Sequence, residues 1–163
     1  MPPVPLRYVD SDVFLGWLKK EPDKVDECRT VIRGAEEGRV KLVTSSLTLV
    51  EVIKLERGRE IPESAQQAVT DFFKHEWIIV RNLDFRVAAY ARELIWKHNF
   101  MPKDSVHVAT AVIERIPRLD TFDGELIRRS GEIGDPPLII GRPDLPREVS
   151  FDDALADLEP DEE

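Results

Sequence analysis

Along most of the chain, short β-prone apolar runs alternate with longer stretches whose apolar positions recur at helical spacing. Leu6 to Val9 is the first run, free of Gly and Pro, and it stops at the polar turn Asp10-Ser11-Asp12. Val13, Phe14, Trp17 and Leu18 then follow a helical period. From Asp23 to Glu37, Val25, Cys28, Val31, Ile32 and Ala35 form one stripe, and Gly34 and Gly38 mark its end. Val40 to Val43 predicts a second strand. Thr44, Ser45 and Ser46 offer N-caps for a helix to about Arg57.

The alternation continues in the second half. Ser64 to Lys74 predicts a helix that buries Ala65, Ala68, Val69, Phe72 and Phe73, and Trp77 to Val80 predicts a strand. Asp84 caps a helix to about His98. Asp104 opens another, with Val106, Ala109, Val112 and Ile113 on its inner side. Leu119 to Phe122 predicts a fourth strand, Asp123 to about Arg129 a helix, and Leu138 to Ile140 a last strand. Strands that alternate with helices call for a parallel sheet of four to five strands covered by helices on both faces, a three-layer α/β/α arrangement. No repeat or linker divides the pattern. One domain over residues 1–146 is expected, with an acidic, mobile tail over 147–163.

Composition narrows the class. The 163 residues are 42% apolar and 34% charged, which suits a globular domain with a sizeable core. No apolar run approaches the roughly 20 residues of a membrane helix. The N-terminus lacks a basic stretch followed by an apolar one, so no secretory signal is expected. Cys28 is the only cysteine, which fits a reducing, cytoplasmic setting. The net charge of −9 argues at first against a nucleic-acid partner. Yet residues 152–163 hold seven acids and no Lys or Arg; without those seven the charge is −2, so the objection is weak.

The acids of the main body carry the chemistry. In an open parallel sheet, sites lie beyond the carboxyl ends of the strands. Asp10 ends the first strand, Asp123 follows the fourth, Asp104 opens a helix, and Glu51 lies about a turn and a half into the helix after the second strand. Carboxylates brought together repel and their pKa values rise, unless a hard divalent cation offsets the repulsion. Mg²⁺ or Mn²⁺ held by a few carboxylates suits phosphodiester hydrolysis without a His or Cys nucleophile.

The same residues carry a family resemblance. Tyr8-Val9-Asp10-Ser11-Asp12-Val13-Phe14-Leu15 resembles the opening motif of PIN domains, and Thr44-Ser45-Ser46-Leu47-Thr48-Leu49-Val50-Glu51 their second. Asp104-Ser105-Val106-His107-Val108-Ala109-Thr110-Ala111 is similar to the third, and Leu119-Asp120-Thr121-Phe122-Asp123-Gly124-Glu125-Leu126 to the fourth. Each motif alone is weak, but four in order over residues 6 to 140 are specific. The resemblance, closest to VapC toxins, implies an endoribonuclease dependent on Mg²⁺ or Mn²⁺, with Asp10, Glu51, Asp104 and Asp123 as catalytic metal ligands. It implies an RNA substrate, a homodimer and a possible cognate antitoxin. Ser11, Thr121, Asp12 and Asp120 are expected to support the site. Ser105 departs from the Ala common in the third motif, and Asp12 and Asp120 are acids beyond the usual set.

Plainer roles compete for each residue. Asp10, Asp104 and Asp123 each suit an N-cap, and Glu51 suits an exposed helix face. His107 reads as a packed or hydrogen-bonded helix residue rather than a ligand. Ser11 and Thr121 suit simple turns, the three tryptophans suit core or interface, and Lys103 and Arg128 suit solvated surface. Two other functions are open. Asp10-Ser11-Asp12 after a strand also fits haloacid dehalogenase-like phosphatases, and a PIN-like fold can be retained as an inactive binding module. Only the joint occurrence of the four acids favours the nuclease.

Overall fold

The computed structural model describes residues 1–52 and 61–147. Five strands, β1 (Leu6–Val9), β2 (Lys41–Ser45), β3 (Ile78–Arg81), β4 (Arg118–Asp120) and β5 (Ile139–Gly141), form one sheet in the order β3-β2-β1-β4-β5. All pairings are parallel. Among the described residues, seven α-helices accompany them: α1 (Ser11–Leu18), α2 (Val25–Glu36), α3 (Ser46–Glu51), α4 (Gln66–Phe72), α5 (Phe85–His98), α6 (Pro102–Ile113) and α7 (Gly124–Arg128). The sheet is parallel because each connection carries a helix that returns the chain to the same edge.

Strand alternation splits the core in two. Tyr8 and Val43 face one side, with Val87, Ala91 and Leu94 of α5, Val108 and Ala111 of α6, and Leu126 of α7. Val9 and Leu42 face the other, with Val13 and Phe14 of α1, Val31 and Ile32 of α2, and Phe73 after α4. Burial on both faces explains why β1 and β2 read as continuous apolar runs rather than as an alternation of apolar and polar residues. The chain steps outward from β1 through β2 to β3, then resumes at β4 on the opposite flank of β1. The strand order therefore reverses between β1 and β4, and a crevice opens beyond their carboxyl ends.

Most elements shift by a residue or two from the sequence expectation, and three of the changed boundaries bear on the site. α6 begins at Pro102, because proline at the first helical position gives up no needed N–H, so Asp104 lies inside the first turn rather than capping it. β4 ends at Asp120 rather than Phe122, because the Phe122 N–H turns away to the Asp12 carboxylate, 2.9 Å distant. α3 ends at Glu51 itself. Its expected extension to Arg57 lies partly outside the described residues, as does most of the acidic tail.

Asp120 also leaves the part expected of it. It is wholly buried and faces Arg7 of β1 and Arg118 of β4, with Arg7 Nε 2.8 Å and Arg118 Nε 3.0 Å from its oxygens. The Arg7 approach lies off the N–H axis and is an ion pair rather than a hydrogen bond. Burial pushes Asp120 up to about 6 against the pull of both arginines, and it pushes Arg7 down. Both directions express the cost of desolvating an ion pair. The side chains of this triad lock β1 to β4, and the Asp120 carboxylate is engaged by the two arginines rather than by the other acids. Asp120→Asn, which strands the two arginines, is expected to lower unfolding stability by about 3 kcal/mol while leaving Mn²⁺ affinity intact. Urea melts and calorimetry check this, and a large loss of Mn²⁺ affinity would return Asp120 to the site.

Candidate metal centre at the sheet switch point

Asp10 is the first residue past β1, at the mouth of the crevice. Its backbone N–H bonds the Asp120 carbonyl at 3.0 Å, which continues the β1–β4 pairing and fixes its position. One carboxylate oxygen, Oδ1, accepts the Ser11 N–H at 2.7 Å, so Asp10 caps α1. The other, Oδ2, accepts the Thr121 hydroxyl at 2.8 Å. Only 6% of Asp10 is exposed. The Ser11 hydroxyl lies 3.4 Å from Asp10 Oδ1, a weak contact.

Asp12, on the first turn of α1, reaches the same loop. Its Oδ2 accepts the Phe122 N–H and lies 3.2 Å from the Thr121 hydroxyl. Thr121 thus stands between two carboxylates with one proton to give. Oδ1 of Asp12 is buried and has no hydrogen-bond partner among the described residues. Burial first and Asp10 second push Asp12 up to about 7.

α6 brings the remaining groups. Burial, then the charges of Asp123 and Asp10, push Asp104 up to about 6, with Glu51 acting in the same sense. Asp104 therefore stands within the field of the other three acids. Asp123 also caps α7, its Oδ1 accepting the Glu125 N–H at 2.8 Å. Three residues along α6 from Asp104, and so on the same helix face, stands His107. Its Nε2 lies 2.7 Å from Glu51 Oε1 and 3.3 Å from Asp10 Oδ1, and its Nδ1 lies 2.6 Å from the Tyr8 hydroxyl. Donor atoms of Asp10, Glu51 and His107 all lie within 4.8 Å of one another.

His107 matches the hydrogen-bonded role expected for it, but its proximity to Asp10 and Glu51 was not anticipated. Tyr8 read only as a strand residue. The i, i+3 spacing of Asp104 and His107 was the available signal. Asp10 and Glu51 meet at His107, Asp10 and Asp12 share the Thr121 hydroxyl, and the charges of Asp10, Glu51 and Asp123 reach Asp104, whereas Asp120 is engaged by its two arginines.

The donor set fits a hard divalent cation. Oxygen ligands predominate, their mutual repulsion favours a positive partner, and the bare buried oxygen of Asp12 points to one more polar atom to be satisfied.

The PIN domain family model matches residues 7–132, a span that includes the Asp10, Glu51, Asp104 and Asp123 motifs. The chain belongs to the PIN domain family. The phosphatase alternative is thereby set aside. Comparison with curated proteins gave no match. Among solved structures, PIN-fold similarity extends to VapBC2 from Rickettsia felis bound to a DNA fragment from their promoter, with TM-score 0.55 and 16% identity over 84% of this chain and 97% of that one. A toxin–antitoxin complex from Klebsiella pneumoniae is similar with TM-score 0.52 and 16% identity over 72% and 86% of the two chains. At that identity the likeness is one of fold.

The raised acids fix a pH dependence. Asp12 and Asp104 hold their protons to higher pH when folded, about 7 and 6, than at the ordinary value of 3.8. The native PIN domain without metal therefore binds more protons than the unfolded chain between about pH 4 and 7. This stabilising contribution is full below that window and is lost as pH rises through it. Melting of the metal-free protein should thus shift upward on acidification from pH 7.5 to 5, less so in Asp12→Asn, while Mn²⁺ affinity falls over the same range. A metal-free melting curve that is independent of pH would contradict the clustering.

Proposed function

We propose that this PIN domain is a cytoplasmic endoribonuclease dependent on Mg²⁺ or Mn²⁺, of the VapC type, and the toxin of a toxin–antitoxin pair. The observation that carries the reading is the clustering of Asp10 and Glu51 at His107 beyond the carboxyl end of β1, with Asp104 within reach of their charges and of Asp123. These four residues would hold the cation. Such a cation, when bound, supplies positive charge at the scissile phosphate and acidifies water. The chain's own part is positioning. Ser11 and Thr121 fix the two oxygens of Asp10, Asp12 ties the loop bearing Asp123 to α1, and Lys103 and Arg128, exposed on α6 and α7, would meet flanking phosphates of the RNA.

Membership of the PIN family and similarity to a toxin–antitoxin complex support the toxin reading. An antitoxin would place an apolar segment on the protein and a basic side chain among the carboxylates, where a guanidinium can pair with them in the cation's stead. On α1, Phe14 is wholly buried and can offer no contact. The better seat is an apolar groove of about 370 Å³ between Leu18 and Lys19 at the end of α1 and Ile61 to Phe72 along α4. A homodimer would cover Leu83, Phe85 and Met101, which stand exposed near the groove between α5 and α6.

Purified protein should cut single-stranded or loop RNA with Mn²⁺ or Mg²⁺ and stop with EDTA. Asp10→Asn or Asp104→Asn should lose at least about 100-fold in rate with melting unchanged or raised, because each removes a charged ligand. Full activity in either variant sinks the mechanism. Phe85→Glu should convert the dimer to a monomer in light scattering; a wild type already monomeric at high concentration rules the dimer out.

A further inference from the structure

We propose that Tyr8 and His107 form a relay that holds both ends of α3 and presents the Glu51 carboxylate to the cation, and that His107 is not itself a metal ligand. The part concerning the cation rests on the metal centre proposed above. The relay follows from hydrogen-bond bookkeeping. Tyr8 is wholly buried on the central strand, two residues before Asp10. Its oxygen accepts the Ser45 N–H at 3.1 Å. The hydroxyl proton is then free for His107 Nδ1, 2.6 Å away. A neutral imidazole accepts at one ring nitrogen and donates at the other. With Nδ1 filled by the tyrosine proton, the hydrogen sits on Nε2 and is directed at Glu51 Oε1, 2.7 Å distant, with Asp10 Oδ1 next at 3.3 Å.

A ring nitrogen that carries a proton has no lone pair for a metal. Of the three donors that lie close enough to share an ion, the histidine is therefore already engaged, and the carboxylates keep their oxygens for the cation. The geometry also explains how so short a helix holds its place. α3 has six residues, too few to be stable in isolation. Ser45 is its N-cap and Glu51 its last residue. The Tyr8 oxygen takes the amide at the first end, and through His107 the same phenol steadies the carboxylate at the other. A histidine held in one tautomer by a partner on its far nitrogen is a common device for orienting groups around metals. Here it acts on a ligand carboxylate, and Tyr8 and His107 are positioning residues.

Two measurements test this. Nitrogen NMR of protein labelled at its three histidines, with His107 assigned by its loss in His107→Gln, should show Nε2 protonated and Nδ1 bare once the ring is neutral. Tyr8→Phe should release the ring to a mixture of tautomers and weaken Mn²⁺ binding about tenfold. His107→Gln, whose amide can still donate to Glu51, should retain most of the affinity that His107→Ala loses. Electron spin-echo spectra of the Mn²⁺-loaded wild type should show no directly bound imidazole nitrogen. A bound nitrogen, a bare Nε2, or equal losses in the Gln and Ala variants would overturn the proposal. If the wild type binds no Mn²⁺, the metal-centre reading fails instead, and the neutral-ring spectra decide the relay alone.

Discussion

Burial of carboxylates that also repel one another is the constraint around which this molecule is arranged. In water two carboxylates a few ångströms apart cost each other little, but where burial removes solvent the same pair raises one another's pKa values and tends to hold a proton. Asp10 is almost fully buried, Asp12 and Asp104 are both pushed up, and Glu51 and Asp123 add to the field at Asp104. The protein meets that repulsion with local donors. Ser11 N–H and the Thr121 hydroxyl go to Asp10, Phe122 N–H to Asp12, the first amides of α7 to Asp123, and His107 to Glu51. These bonds fix orientation, yet they leave net negative charge at the centre and a buried oxygen of Asp12 without a donor among the described residues. The arrangement is suited to a group that brings positive charge.

Topology supplies the crevice. Because β1 lies at the middle of the sheet and the order reverses between it and β4, residues over 100 positions apart in sequence end side by side. The Arg7–Asp120–Arg118 triad holds these two strands in register from beneath, so that Asp10 and Thr121 emerge next to each other. An ion pair buried in this way costs desolvation and adds little net stability, and its use lies in fixing one pairing. We regard the triad as the support of the crevice and the acids above it as its contents.

Much of this was legible in the chain. The strands at Leu6–Val9 and Trp77–Val80 and the helix capped by Asp84 follow from period and capping residues alone, and their parallel order follows from the alternation of strand and helix. The four candidate acids were singled out by their places near strand ends, assisted by resemblance. What escaped was what depends on side-chain direction across elements. Nothing local distinguishes Asp120, which faces two arginines, from Asp123, which faces the crevice; one residue of phase near the end of β4 separates structural from candidate functional acid. Tyr8 read as an ordinary strand residue because its partner lies 99 positions away. The start of α6 was misplaced because Asp104 is a better capping residue than Met101, while the proline between them sets the true first turn.

The claim on which the account turns is that the four acids share a cation. Diffraction from crystals soaked in Mn²⁺, recorded where manganese scatters anomalously, tests it directly. The account predicts an anomalous peak within coordination distance of carboxylate oxygens from Asp10 and at least two of Glu51, Asp104 and Asp123, with the His107 ring nitrogens outside the inner ligand set. Manganese bound elsewhere with this crevice empty, or carboxylates that turn away from one another in the crystal, would contradict it.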